Sequence, residues 1–160
     1  MRAKKRCEQY QNTHGSRAEN IQWWVVPRHP QRFDEVAQLL TQKSQSFLRK
    51  SEWMQLLGLE QVSALASAQI VLGDTMGEMF SYYALADVVL MGGTWLPFGG
   101  QNFLEPMALG IPTIIGPSVF NFEAIAQQAI DADALIYAEN LSQALNDVLE
   151  IVLDAQIETK

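Results

Sequence analysis

The chain has one cysteine and two histidines in 160 residues, and between Ser51 and Thr159 it has no lysine or arginine at all. Each scarcity excludes something. Cys7 has no partner for an internal disulfide or a cysteine-based metal site, and His14 and His29 are too isolated to suggest zinc, so no metal is expected. No run of eighteen apolar residues occurs, and the basic start at residues 1–6 gives way to polar residues, not to an apolar signal region. A soluble, cytoplasmic chain is therefore expected. A long segment without cations is also a poor nucleic-acid surface, because neutralising phosphates needs several basic contacts. The sequence holds no G-x-S-x-G and no cysteine paired with a histidine, so no nucleophilic constellation and no catalytic residue is assigned.

What is present is unevenly distributed. Residues 1–50 carry ten Lys/Arg against four Asp/Glu, whereas residues 51–160 carry Lys160 alone against fourteen Asp/Glu, giving the overall charge of −7. The basic start reads more simply as a solvated helix end than as a tail for an acidic partner or a membrane surface. A hydrophobic content of 48% over this length suits a single domain with an ordinary core.

Strand-like and helix-like patterns alternate along the chain, which points to an α/β fold with a parallel sheet flanked by helices. Strands are expected at 21–26, 69–72, 88–91, 113–115 and 134–137. Helices are expected where Phe33, Val36, Ala37, Leu39 and Leu40 recur at helical spacing, at 77–86, just after Asn102, at 122–130 and at 141–153. Gly110 ends the helix after Asn102, and Pro112 precedes the next strand. Residues 41–66 show no clear period and allow only a short strand at 46–49 and a helical turn near Trp53. Residues 1–20 read as a helical N-terminal segment, with one Rossmann-like domain over 21–160.

Three turns carry the polar chemistry. The first, Pro27-Arg28-His29-Pro30-Gln31-Arg32, follows a strand, and its guanidinium groups suit a phosphate or carboxylate. Arg32 is more simply paired with a nearby acid, and His29 is more simply a turn residue. The second, Gly73-Asp74-Thr75-Met76-Gly77-Glu78, lies between a buried strand and a helix. Its free N–H groups could take an anion or a sugar hydroxyl, although Asp74 or Thr75 could equally cap the helix, and the turn has neither a P-loop nor a G-x-G-x-x-G signature. In the third, Asn102-Phe103-Leu104-Glu105 has the spacing of a capping box, in which Asn takes the N3 amide and Glu reaches back. The pairs Gly92-Gly93 and Gly99-Gly100 upstream favour a closer role: a backbone passing near a nucleotide, with Glu105 accepting from a ribose diol. All three turns are expected at one sheet edge. Trp95 and Phe98, within the glycine loop, are read as packing residues.

Taken in order, Pro27-Arg-His-Pro-x-Arg32, Gly73-Asp-Thr-Met-Gly-Glu78, Asp87 with Gly92-Gly93, Gly99-Gly100-Gln-Asn-Phe-Leu-Glu105-Pro106 and Gly116-Pro117 with Asn121-Phe122 resemble the C-terminal half of the Kdo (3-deoxy-D-manno-octulosonic acid) transferases. These are two-domain glycosyltransferases of the GT-B type that act in bacterial lipopolysaccharide synthesis at the cytoplasmic face of the inner membrane. The resemblance spans residues 21 to about 155. It implies a separated half that binds the donor CMP-Kdo, with no cofactor and no metal, through Pro27, Arg28, Met76, Gly77, Glu78, Asn102, Phe103, Leu104 and Glu105. It further implies that the lipid A precursor and the general-base Glu belong to an N-terminal half, so that this chain alone is inactive. Gln101 stands where the family usually has His, and Thr94 where it usually has Ser. A non-catalytic flavodoxin-like binding module, and a GT-B donor domain for another nucleotide sugar, are the alternatives.

Overall fold

The computed structural model describes residues 21–158, so the expectation for residues 1–20 lies outside the described part. The chain divides into two compact units, one ending at Glu78 and one starting at Met79. Each holds three parallel strands with helical connections, the α/β alternation that the pattern implies.

In the first unit, β1 (Trp23–Val25), β2 (Leu48–Arg49) and β3 (Ile70–Leu72) pair in the order β1-β3-β2. The central strand is β3, and its Val71 and Leu72 are fully buried, as expected for apolar residues of a parallel strand paired on both sides. Between the strands lie a 3₁₀ turn at Pro30–Arg32, α1 (Phe33–Gln42), α2 (Lys50–Trp53) and α3 (Gly58–Ser67). Helix α3 falls in the stretch where no period was legible. Its Leu59 and Val62, with Leu57 just before it, point outward, so the apolar positions do not mark a buried face.

In the second unit, β4 (Val89–Leu90), β5 (Thr113–Ile115) and β6 (Ile136–Tyr137) pair in the order β4-β5-β6. Thr113, Ile114 and Ile115 of the central strand are all fully buried. The helices are α4 (Met79–Ala84), α5 (Leu104–Ala108), α6 (Glu123–Asp131) and α7 (Leu141–Glu158), with a 3₁₀ turn at Gly92–Trp95 after β4. Met91, Phe103, Ile115, Ala126, Ala129 and Leu135 form the core, and the rings of Phe103 and Phe122 meet edge to face at 5.5 Å. Ala144 and Val148, four apart on α7, are buried where that helix lies against β5. The expected helix at 77–86 is shorter than its pattern, because Gly77 has φ +79° and the helix begins only at Met79.

Candidate functional site

Parallel pairing aligns strand ends, so the carboxyl edge of the first sheet can be assembled from its register. Val25 lies beside Leu72 and Arg49 also lies beside Leu72, which brings together the segments that follow β1, β3 and β2. The Gly73 N–H continues the ladder by donating to the Val25 carbonyl at 2.9 Å. Pro27 is half-buried at this edge. Arg28 is exposed and, among the described residues, forms no ion pair. Arg32 pairs with Glu35 at 3.1 Å on the solvent side, and the His29 carbonyl accepts the Arg32 N–H, the roles their sequence context suggests.

The turn 73–78 is held by charge. Asp74, whose side chain is only 4% exposed, accepts the Arg49 Nε–H at 2.8 Å, the Ser51 N–H at 2.8 Å and the Ser51 hydroxyl at 2.7 Å. Burial pushes the Asp74 carboxyl up, but the hydrogen bonds from Ser51 and Arg49 outweigh it, so the group ends below its ordinary value. Arg49 also donates to Asp34 at 2.6 Å, and that bond raises its already high pKa against the effect of burial. Asp74 thus does not cap the helix after its own turn, and its carboxylate is engaged by Arg49 and Ser51. It ties the turn after β3 to the start of α2.

Glu78 is available in a different way. The ammonium of Lys50 lies 2.6 Å from its Oε2, and the Thr75 hydroxyl donates to the same oxygen. Lys50 and Thr75 together hold the Glu78 carboxyl below the ordinary range. The carboxylate itself remains about one-third exposed, beside exposed Met76 and Gly77, and nothing lies within 4 Å of where a Gly77 Cβ would sit.

At the carboxyl edge of the second sheet the stitching is neutral. The buried Thr94 hydroxyl donates to the Met91 carbonyl at 2.7 Å and accepts the Gly116 N–H at 2.6 Å, and the Ser118 N–H donates to the Thr94 carbonyl at 2.8 Å. A serine hydroxyl could make the same two bonds, so Thr94 preserves the chemistry of the residue usual in the resembled family. Trp95 packs over Gly116, where a Cβ would come within 2.6 Å of the indole, and its Nε1–H is buried with no partner among the described residues. Gly99, at φ +77°, lies against Asn121 and Phe120, donates its N–H to Ser118 Oγ at 3.2 Å and accepts the Asn121 N–H. The glycines bring two loops of this unit into contact, and Trp95 is the packing residue expected. Phe98 is 65% exposed and does not pack as expected.

The Asn102–Glu105 segment departs from a capping box. The Asn102 Oδ1 accepts the Leu104 N–H at 3.2 Å, only two residues on, while its Nδ2 donates to Glu105 Oε1 at 2.9 Å. The residue flanking α5 is Phe103, which has no side-chain cap. Asn102 therefore turns the chain locally and orients the Glu105 carboxylate. Tyr83 of α4 is half-buried; burial raises its pKa, and the charge of Glu105 raises it further. Of the residues named from the sequence, Leu104 is partly exposed and Glu105 half-buried, whereas the Phe103 ring is fully buried in the core and can present only its backbone to a ligand.

Sequence reasoning missed Arg49, Lys50 and Ser51. The only available signal was that Arg49-Lys50 is the last pair of cations before a cation-free stretch of more than a hundred residues. The two-residue strand that ends at Arg49 was too short to place them at a sheet edge.

Polar turns at the carboxyl ends of parallel strands define the α/β class whose ligands bind at that edge. No family profile matches the chain. It is 40% identical over 130 residues to the 3-deoxy-D-manno-octulosonic acid transferase of Bordetella pertussis, covering 81% of this chain and 29% of that one. It is 32% identical over 137 residues to the same-named transferase of Haemophilus influenzae, covering 86% and 30%. Among solved structures, the C-terminal CMP-Kdo binding domain of WaaA from Acinetobacter baumannii superposes with a TM-score of 0.76 at 36% identity, over 94% of this chain and 72% of that one. The chain belongs to the 3-deoxy-D-manno-octulosonic acid transferase family and spans a little under a third of the length of those two transferases. No helix among the described residues is long and apolar enough to cross a membrane.

Proposed function

We propose that this chain binds CMP-Kdo as the donor-binding part of a Kdo transferase. In the full reaction an acceptor hydroxyl of a lipid A precursor attacks the anomeric carbon of Kdo, the bond from that carbon to the phosphate oxygen breaks, and CMP leaves. The proton of the attacking hydroxyl passes to a carboxylate base supplied by the N-terminal part of the enzyme, at the cytoplasmic face of the bacterial inner membrane. The role of this chain is to hold the nucleotide and receive the leaving phosphate. By itself it turns nothing over.

The observation that carries this reading is the 36% identity, over 94% of the chain, to a domain described as CMP-Kdo binding. The residues present suit such a donor. Arg28 is an exposed cation without an acidic partner among the described residues, as a phosphate or carboxylate ligand requires. Glu78 and Glu105 are carboxylates oriented by neighbours and able to accept hydroxyl hydrogen bonds. The further residues that the resemblance implies lie on two sheets and not at one edge: Pro27, Met76 and Gly77 in the first unit, Asn102 and Leu104 in the second, with Phe103 behind them in its core.

Calorimetric titration with CMP tests the proposal. Arg28→Ala is expected to weaken binding about tenfold or more, as loss of a charge-assisted contact does. Glu105→Gln is expected to lower affinity with little change in melting temperature, whereas a residue that only shapes the start of α5 would change melting and leave affinity intact. A thermal-shift comparison should rank CMP above UMP and UDP. Stabilisation by UDP in preference to CMP would assign a different nucleotide sugar, and no response to any nucleotide would favour a non-catalytic module.

A further inference from the structure

Lys50 is a buried charged residue that the donor reading leaves without a task. It opens α2 directly after β2, at the carboxyl edge of the first sheet, and its side chain is 10% exposed. Enclosing an ammonium is costly unless it is paired and hydrogen-bonded, and here the pair is Glu78 at 2.6 Å. The geometry of that pair is asymmetric. Lys50 and the Thr75 hydroxyl both meet Glu78 Oε2, and no described residue donates to Oε1. Two other charges of this edge, Arg49 and Asp74, pair with each other, and Arg49 pairs with Asp34 as well.

We infer that Lys50 and Thr75 are positioning residues that clamp one oxygen of Glu78 so that its second oxygen is presented, ionised and in a fixed orientation, to a hydroxyl of the bound nucleotide sugar. The inference deepens the donor-binding reading and rests on it for the identity of the ligand. A carboxylate on a flexible side chain loses rotamer freedom when it binds, and a carboxylate already clamped at one oxygen has lost that freedom beforehand. The clamp also keeps Glu78 an acceptor as the medium becomes acidic, since protonation would remove the lone pairs that the ligand hydroxyl needs. Lys50 therefore acts through Glu78 and need not touch the ligand.

Two measurements on the chain separate this clamp from mere core filling. The first is an NMR pH titration of the Glu78 carboxyl carbon without ligand. In Lys50→Met, which keeps the unbranched apolar stem and removes the charge, and in Thr75→Val, the midpoint should move to higher pH, and Lys50→Arg should restore most of the original midpoint. The second is calorimetric titration with CMP-Kdo across the acid range. Lys50→Met should weaken binding about tenfold at neutral pH and move the acid limb of affinity upward, and Glu78→Gln should abolish that limb. If Lys50→Met lowers only the melting temperature, with the Glu78 midpoint and the affinity profile unchanged, the clamp is overturned. If Lys50→Met does not fold, Thr75→Val decides on the same readouts. Absence of CMP-Kdo binding in the unaltered chain would sink the donor reading, while the ligand-free titration would still judge the clamp.

Discussion

The two units solve one structural problem with different materials. Each has three short parallel strands and must hold the turns at their carboxyl ends in place. The first uses ions: Asp74 joins Arg49 and Ser51, and Lys50 joins Glu78. The second uses neutral groups: the Thr94 hydroxyl bridges Met91 and Gly116, and glycines at 99 and 116 let the side chains of Asn121, Phe120 and Trp95 pack directly against the backbone. The difference follows from where the cations are. No lysine or arginine occurs between residue 51 and residue 159, so the second unit has no basic side chain among its described residues with which to pair an acid. An unpaired buried carboxylate would be far more costly than a satisfied hydroxyl, and the second unit buries the hydroxyl. A polar edge can thus be rigid without charge, provided the backbone approaches closely enough.

That contrast can be broken most forcefully at Gly116. Placing a methyl group within 2.6 Å of the Trp95 indole forces a core-edge ring to move, and Gly116→Ala is expected to cost about 2–3 kcal/mol, read from urea denaturation. An unchanged denaturation midpoint would mean that the loops are not held by close packing. Next in size is Thr94→Val, which keeps the shape but leaves the Gly116 N–H without its acceptor, at about 2 kcal/mol and with no dependence on pH.

Asp74→Asn should cost somewhat less at neutral pH, about 1–2 kcal/mol, and its cost should depend on pH and salt. The sign follows from the lowered pKa of Asp74: its contribution is fully present above the unfolded value near 3.8 and is lost as pH falls through the lower folded value. The difference between the native chain and Asp74→Asn should therefore shrink below about pH 4, whereas the cost of Thr94→Val should stay constant. Equal pH profiles for the two variants would erase the distinction between the ionic and the neutral edge.

How far the sequence discloses this arrangement depends on how each feature is encoded. The strand β3 is a continuous apolar run closed by Gly73, and β5, closed by Gly116, departs from one only at the β-branched Thr113; both were legible because burial on both faces leaves almost no polar position to confuse the pattern. The α3 helix was not legible, since its Leu59 and Val62 are exposed and its apolar spacing reflects no core. The turns carrying Arg28, Glu78 and Glu105 were legible from residue type. The partners of those residues were not: that Asp74 serves Arg49 and Ser51 and leaves Glu78 to Lys50 depends on β2 pairing beside β3, which a two-residue strand does not announce. The capping-box reading of Asn102 failed by one residue, because Phe103 is drawn into the core and the helix starts after it.

The central claim is that the polar edges of this chain bind the cytidine nucleotide of CMP-Kdo. A two-dimensional NMR titration of the chain with CMP tests it most directly. The account predicts saturable shifts in the backbone signals of Arg28, of 76–78 and of 102–105, each set weakened by its own variant, Arg28→Ala, Glu78→Gln or Glu105→Gln. No response at millimolar CMP, or a response confined to residues outside those segments, would contradict it.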